Sequence, residues 1–297
     1  MTEEELRPRR VLVTGAGGLI GRSVVDLLLG HQVAVTALVW EDPGDLPADR
    51  VLVGDAGDAD LVRQALHEVD AVAHLAALPS PHHAAPIDLF VGNTRATFAV
   101  LEEAGQAGVR RAMIASSYSI LGLPWAAGTL HPAYYPIDEQ LPLQIEDPYG
   151  LSKQVDEATA AVMSRRHGTS IVALRFPFVG GEDRIAKRLA STTTDPGSSA
   201  ADSWSYLHVR DAAVATWRAL TAPLTGFHPL FVAAPEILAP YPTEELIAAY
   251  HPQSTLRRPL PGRQVPIDVR ASQRLLGFTP RHLIELDTHP LPSVPSR

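Results

Sequence analysis

Val11-Leu12-Val13-Thr14-Gly15-Ala16-Gly17-Gly18-Leu19-Ile20-Gly21 is the stretch on which the fold turns. A short β-branched run, Val11–Thr14, leads into glycines at 15, 18 and 21, and a helical pattern over Leu19–Leu29 follows. Each glycine has a physical task. The first permits a tight turn, the second lets backbone come close to a pyrophosphate, and the third lets the helix pack on the strand, while the helix N-terminus supplies amide donors. A glycine triplet alone is also compatible with a structural turn, and its place between a first strand and a first helix is what gives it weight. Gly15, Gly18, Leu19, Ile20 and Gly21 are the candidate dinucleotide contacts of this loop.

Working outward, short apolar runs alternate with amphipathic segments. Strands are predicted at Val33–Val39, Arg50–Val53, Ala71–Leu75, Arg111–Ala115 and Ile171–Arg175, and helices near Ala59–Glu68, Ile87–Ala104 and Tyr149–His167, with Gly168 as a helix stop. Strands that read as continuous apolar runs belong to a parallel sheet covered on both faces. The fold class is therefore α/β, a Rossmann-type doubly wound parallel sheet over residues 1–175. After Arg175 the pattern loosens into the Ser/Thr/Asp-rich stretch Ser191–Ser203 and short pieces punctuated by prolines, which reads as a smaller C-terminal substrate-binding region at 176–208 and 223–297. The helix-like Val209–Leu220 is expected to return to the main sheet, carrying residues 209–222 with it. Met1–Arg10 and Pro290–Arg297 are expected to be disordered tails.

Composition narrows the chemistry. With 297 residues and 45% apolar content the chain buries a sizeable core, and no run approaches the ~20 apolar residues of a membrane helix. The acidic start Met1-Thr2-Glu3-Glu4-Glu5 is unlike a secretory signal, so a cytoplasmic protein is expected. The absence of cysteine removes disulfides, thiolate metal sites and thiol nucleophiles. A net charge of −8 argues against a nucleic-acid surface and leaves a small-molecule substrate as the expected partner.

Choice of dinucleotide is usually set after the second strand. There Leu38-Val39-Trp40-Glu41-Asp42 holds no basic residue, and Glu41 and Asp42 would repel a 2′-phosphate. NAD or NADP is expected, with a lean to NAD, although both acids are also compatible with a solvated loop. Asp55, with Ala56, follows the third strand and is a candidate for the adenine amino group.

The proton-transfer constellation is Tyr149-Gly150-Leu151-Ser152-Lys153 at the start of a helix, where the i, i+4 spacing puts Tyr149 and Lys153 on one face. A phenol is a poor base at neutral pH until a neighbouring ammonium favours the phenolate. With seven tyrosines and only two lysines, Lys153 and Lys187, a chance Tyr-x-x-x-Lys is expected roughly 0.05 times. Ser116 and Ser117 end a strand at the carboxyl edge, where open α/β sheets bind ligands.

Together these residues resemble the extended short-chain dehydrogenase/reductase family of the NAD-dependent epimerase/dehydratase type. The resemblance runs from Val11 to about Leu283 and includes Gly54-Asp55, His74-Leu75-Ala76-Ala77, Asn93, Ser116-Ser117, Leu174-Arg175-Phe176-Pro177, Tyr206–Asp211 and Leu276–Pro280. It implies that Ser117 orients the substrate oxygen, Tyr149 is the general acid/base, and Lys153 lowers the Tyr149 pKa and holds the ribose. Leu75, Ala76, Ala77 and Phe176 would line the dinucleotide, and Asn93 would fix backbone geometry. The helices carrying Asn93 and Tyr149 would form a four-helix homodimer interface.

Departures from the family shift the expected reaction. Tyr118-Ser119 follow Ser117 where dehydratases carry an acidic pair, Phe178 stands where many nucleotide-sugar epimerases have asparagine, and Gly181–Ser205 is short for a diphosphate cradle. The pattern is closer to uronate-dehydrogenase-like and ketoreductase-like members. The expected activity is an NAD(P)-dependent alcohol/ketone oxidoreductase on a small polar, sugar-like or secondary-metabolite substrate. A sugar or nucleotide-sugar epimerase with tightly held NAD and a non-catalytic dinucleotide sensor are the alternatives. Tyr118, Phe178 and Trp125 are candidate substrate contacts, and Tyr134, Tyr135 and Trp204 candidate pocket walls, with ordinary packing as the competing role. Arg175 and Arg184 could meet an anion or form salt bridges. His82-His83 and His131 lack ligand spacing, so no metal is expected.

Overall fold

The computed structural model describes residues 6–292. The chain runs β1 (Arg10–Thr14), α1 (Leu19–Gly30), β2 (Ala34–Val39), β3 (Arg50–Val53), α2 (Ala59–Ala65), β4 (Ala71–His74), α3 (Pro86–Gln106), β5 (Arg111–Ser117), β6 (Tyr134–Tyr135) and α4 (Pro148–His167). It continues through β7 (Ser170–Phe176), β8 (Phe178–Gly180), α5 (Glu182–Thr194), β9 (Tyr206–His208), α6 (Val209–Thr221), β10 (Phe227–Phe231), α7 (Thr243–Tyr250), β11 (Thr255–Leu256) and α8 (Arg270–Leu276). Strands β10-β7-β5-β4-β1-β2-β3 form one sheet in which every pair is parallel. The order reverses between β1 and β4, so the crevice between their carboxyl ends is the switch point at which such sheets bind ligands.

Both faces of the sheet are covered. Alternation along β1 sends Val11 and Val13 toward Val24, Val25 and Leu28 of α1 and Ala213, Trp217 and Leu220 of α6. Leu12 faces the other way, with Val62 of α2, Val100 of α3 and Met163 of α4. Gly168 stops α4 with a left-handed φ of 71°.

Three sequence expectations are corrected here. Phe227–Phe231 lies outside the appended region and pairs with β7 as the edge strand β10, while Leu276 and Phe278 pack into the main core. The stretch from Ser191 is not loose chain: α5 runs to Thr194, and a 3-10 turn covers Pro196–Asp202. Leu6 is buried and Arg10 opens β1, and the Leu291 amide donates to Glu245 at 2.8 Å, so Leu6–Arg10 and Leu291 are parts of the fold. Residues 1–5 and 293–297 of the two expected tails lie outside the described residues.

The rest of the C-terminal half, with the loops after β5, builds its own core from Tyr134, Tyr135, Trp204, Ile237, Leu246 and Val265, and it meets the main sheet through Phe231 and Tyr118. No described helix is long and apolar enough to cross a membrane.

Candidate active site

The glycine loop sits at the switch point. Gly15 has φ +65°, and a Cβ there would come within 2.7 Å of the Ala76 amide nitrogen. A Cβ on Gly21 would meet the Gly15 carbonyl oxygen and the Ala16 backbone, so side chains at either position would close the gap between α1, β1 and the segment after β4. The first turn of α1 has no side-chain cap. A small cradle with an uncapped helix start fits a dinucleotide pyrophosphate. Leu19 and Ile20 open α1. Leu75, Ala76 and Ala77 follow β4, and Asp55 and Ala56 follow β3, all at the carboxyl end of the sheet. Asp55 Oδ1 accepts from the Gly57 amide at 2.8 Å. Beside the loop, the Arg22 guanidinium donates to the Gly17 carbonyl (3.2 Å) and to Asp45 (2.7 Å). Sequence reading passed over Arg22 because it sits inside a helix rather than after β2.

β5 delivers the second group of residues. Ser117 ends the strand opposite Phe176 of β7 and caps the following 3-10 turn, Tyr118–Leu121, its Oγ accepting from the Ser119 amide at 3.0 Å. That bond leaves the Ser117 hydroxyl proton for another acceptor. Because α4 joins two parallel strands it runs antiparallel to them, and its first turn therefore lies at the same carboxyl edge. Asp147 caps it by accepting from the Gly150 amide at 2.8 Å, and Pro148 occupies its first turn. A Cβ on Gly150 would lie 2.7 Å from the Ser119 carbonyl oxygen, so glycine there lets the Tyr149 turn seat against the turn that Ser117 begins.

Tyr149 and Lys153 are both buried, and the Lys153 Nζ lies 5.7 Å from the Tyr149 ring centroid. Lys153 donates to Asp156 Oδ2 at 3.1 Å. Burial works against the ammonium, but Asp156, Tyr149 and Glu157 outweigh it and hold the Lys153 pKa above its ordinary value. A hydrogen-bonded chain joins α3 to the end of β1 and the segment after β4 beside the glycine loop. The amides of Leu75 and Ala76 both lie 3.2 Å from Thr14 Oγ1, which lies 2.8 Å from His74 Nδ1, while His74 Nε2 lies 3.1 Å from Thr97 Oγ1. With Thr14 Oγ1 accepting two amides, its proton goes to Nδ1, which assigns the proton of neutral His74 to Nε2. Burial, helped by the Lys153 charge, pushes the His74 pKa down to about 3.

Beneath the pair, Glu157 receives Arg175 through two bonds, 2.9 and 2.8 Å, and the Ser116 hydroxyl at 2.6 Å. Arg175 is thus a salt-bridge residue tying β7 to α4. Asn93 bonds the Leu78 amide and carbonyl and the Ser152 hydroxyl, joining α3, α4 and the segment after β4. Asp156, Glu157 and Thr97 were not anticipated. The acids stand at i+3 and i+4 from Lys153, a spacing visible in the sequence, but the Glu157 partners, Arg175 and Ser116, come from other elements.

One expected substrate contact, Tyr118, is corrected, and three expected pocket walls are engaged in packing. Tyr118 points away from the crevice into the second core, its hydroxyl 2.8 Å from Ser203 Oγ and its ring against Phe231. Tyr135 shares Ser203, Trp204 donates to the Pro196 carbonyl, and Tyr134 donates to Asp138, so all three serve packing. Trp125 is half-buried, donates to Ser119 Oγ at 3.1 Å and meets the His82 ring edge-on, which keeps it beside the Ser117 turn. Phe178 is half-buried between the guanidinium groups of Arg184 and Arg188. A surface depression of about 350 Å³ bounded by Leu6, Arg218, Leu276 and Gly277 lies on the side where β1 begins, away from these groups.

A parallel sheet with a glycine cradle at its switch point is the architecture of a Rossmann-type dinucleotide-binding protein. The model of the NAD dependent epimerase/dehydratase family matches residues 11–233, and the chain belongs to that family. It is 31% identical to a UDP-glucose 4-epimerase of Azospirillum brasilense over 191 residues, 62% of this chain, and so spans about half, 53%, of that relative's length. It is 30% identical to a 3-diazoavenalumate denitrifying reductase of a Streptomyces species over 295 residues, 92% of this chain and 89% of the reductase. Among solved structures it is similar to MoeE5 in complex with UDP-glucuronic acid and NAD, with TM-score 0.68, 27% identity, and coverage of 92% of this chain and 94% of that one.

Proposed function

We propose that this chain is an NAD(P)-dependent oxidoreductase that interconverts an alcohol and a ketone, or reduces an equivalent group, on a small polar, sugar-like or secondary-metabolite substrate. The observation that carries it is the buried Tyr149–Lys153 pair, with Lys153 Nζ 5.7 Å from the Tyr149 ring centroid, at the carboxyl edge that also bears the glycine cradle and Ser117. Gly15, Gly18 and Gly21 would hold the dinucleotide, which when bound would supply or accept the hydride. The Ser117 hydroxyl, its lone pair taken by the Ser119 amide, donates to the substrate oxygen and orients it. Tyr149 gives that oxygen a proton in reduction and removes it in oxidation. The Lys153 ammonium stabilises the phenolate, and its remaining N–H groups serve the ribose. Phe176, Trp125 and Phe178 border the substrate space.

Net reduction or oxidation is favoured by the similarity to a reductase over nearly the whole chain. An epimerase is the second reading, favoured by the 31% identity to a UDP-glucose 4-epimerase over 62% of this chain. Exposed Glu41 and Asp42 after β2, together with an Arg22 already engaged by Asp45, support NAD over NADP. A homodimer through α3 and α4 is supported by exposed Ile87, Val91 and Phe98 on one stripe of α3 and exposed Leu151 and Val162 on α4.

The test is absorbance at the nicotinamide band with NADH and NADPH against small ketones and keto-sugars, and with the oxidised cofactors against aldoses and uronates, beside a Tyr149→Phe control. Turnover lost in the control supports the proposal. Sugar isomers interconverted without net cofactor change support the epimerase, and binding without chemistry supports a sensor.

A further inference from the structure

Asp156 has no part in the scheme above, yet it is among the most buried charged side chains of the chain, 1% exposed. One carboxylate oxygen accepts from Lys153 Nζ at 3.1 Å, and the Thr97 hydroxyl of α3 is the other polar group that favours the charged form. Taking a carboxylate out of water is costly, and an apolar side chain would fill such a position more cheaply. The charge that offsets this cost is Lys153, the same ammonium that faces Tyr149.

We propose that Asp156 is a positioning residue for the Tyr149–Lys153 pair: it anchors the ammonium on α4 and offsets part of its charge, so that two opposed charges set the base strength of Tyr149. This rests on the acid/base reading of that pair. Lys153 carries three N–H donors and spends one on Asp156, which fixes the direction of the other two.

Among the surrounding charges Asp156 is the acid bonded to Lys153, with Glu157 adding a weaker pull on the ammonium. On α4 itself the other acids are Asp147, which caps the helix, and Glu157, whose charge is met by Arg175 of β7. β4 contributes His74, kept neutral by burial. α3 contributes uncharged Asn93 and Thr97, its Glu102 being taken by Arg166 and His167 and its Glu103 by Arg63. β5 contributes Ser116 and Ser117, and the turn after it Ser119. Arg111 of β5 and His228 of β10 bond the carbonyls of Ala222 and Thr225 at the other end of the sheet.

The test is a tyrosinate difference titration of the full chain without substrate, the Tyr149→Phe spectrum being subtracted to remove the other six of the seven tyrosines. The midpoint of Tyr149 should fall in Asp156→Asn by on the order of one pH unit, the effect of one unit charge several ångströms away at a protein dielectric near 20. It should rise in Lys153→Met. If Asn at 156 prevents folding, the smaller Asp156→Ser carries the same test. Midpoints for the Asp156 variants that coincide with wild type, or that rise, while Lys153→Met moves would overturn the inference that the Asp156 charge opposes that of Lys153. A Lys153→Met midpoint that does not move would overturn the acid/base reading itself, and the inference with it.

Discussion

Glu157→Ala should be among the most destabilising single changes in this chain, and the structure supplies the magnitude. Glu157 and Arg175 have side chains 9% and 6% exposed, and the carboxylate receives both guanidinium bonds and the Ser116 hydroxyl. Alanine leaves the guanidinium buried with the Glu139 carbonyl at 3.4 Å and the face of Phe231 at 5.1 Å, neither of which replaces a carboxylate. Breaking such a pair from one side costs about 3–5 kcal/mol, whereas replacing both members by apolar groups of similar volume is often neutral. Urea unfolding of wild type, Glu157→Ala and the double variant Glu157→Leu/Arg175→Met should place the single variant about 3–5 kcal/mol lower and the double variant well above it. A loss below about 1 kcal/mol for Glu157→Ala, the scale of an exposed pair, would refute the claim that this cluster locks α4 to β7.

Gly15→Ala should abolish dinucleotide binding, measured by fluorescence titration, because φ is +65° and the added Cβ would lie 2.7 Å from the Ala76 amide nitrogen. His74 titrates with the same sign as a paired carboxylate. Its folded pKa of about 3 lies below the unfolded value of 6.5, so its unfolded form gains a proton first and stability drains as pH falls between those values. Relative to His74→Gln, wild type should lose about 1.4 kcal/mol per pH unit between pH 6 and 4, read from urea midpoints. Phe98→Glu, on the exposed stripe of α3, should convert a dimer to monomers in light scattering.

The sheet was legible because buried parallel strands are apolar runs, and β3 over Arg50–Val53 was read to the residue. β10 was hidden by His228 and Pro229 inside Phe227–Phe231; a proline is tolerated there because β10 is an edge strand, with one side of its backbone unpaired. α5 was hidden because it buries little, chiefly Ile185 and Thr192, so its pattern is that of a solvated segment. At the site, Gly15, Ser117, Tyr149 and Lys153 could be picked out by local spacing, and the fold brings them to one edge of the sheet. Tyr118 was misjudged because adjacency to Ser117 does not set the direction of a side chain in a 3-10 turn. Asp156, Glu157 and His74 act through partners 18 to 60 residues away or through burial, neither of which has a local signature.

The most direct measurement is nicotinamide absorbance during turnover with the substrate panel, wild type beside Tyr149→Phe. The account predicts net NADH or NADPH consumption, or formation in the oxidative direction, that falls by about 10²–10⁴ in the variant while dinucleotide binding is retained. Undiminished turnover in Tyr149→Phe, or isomer interconversion with no net change at the nicotinamide band, would contradict it.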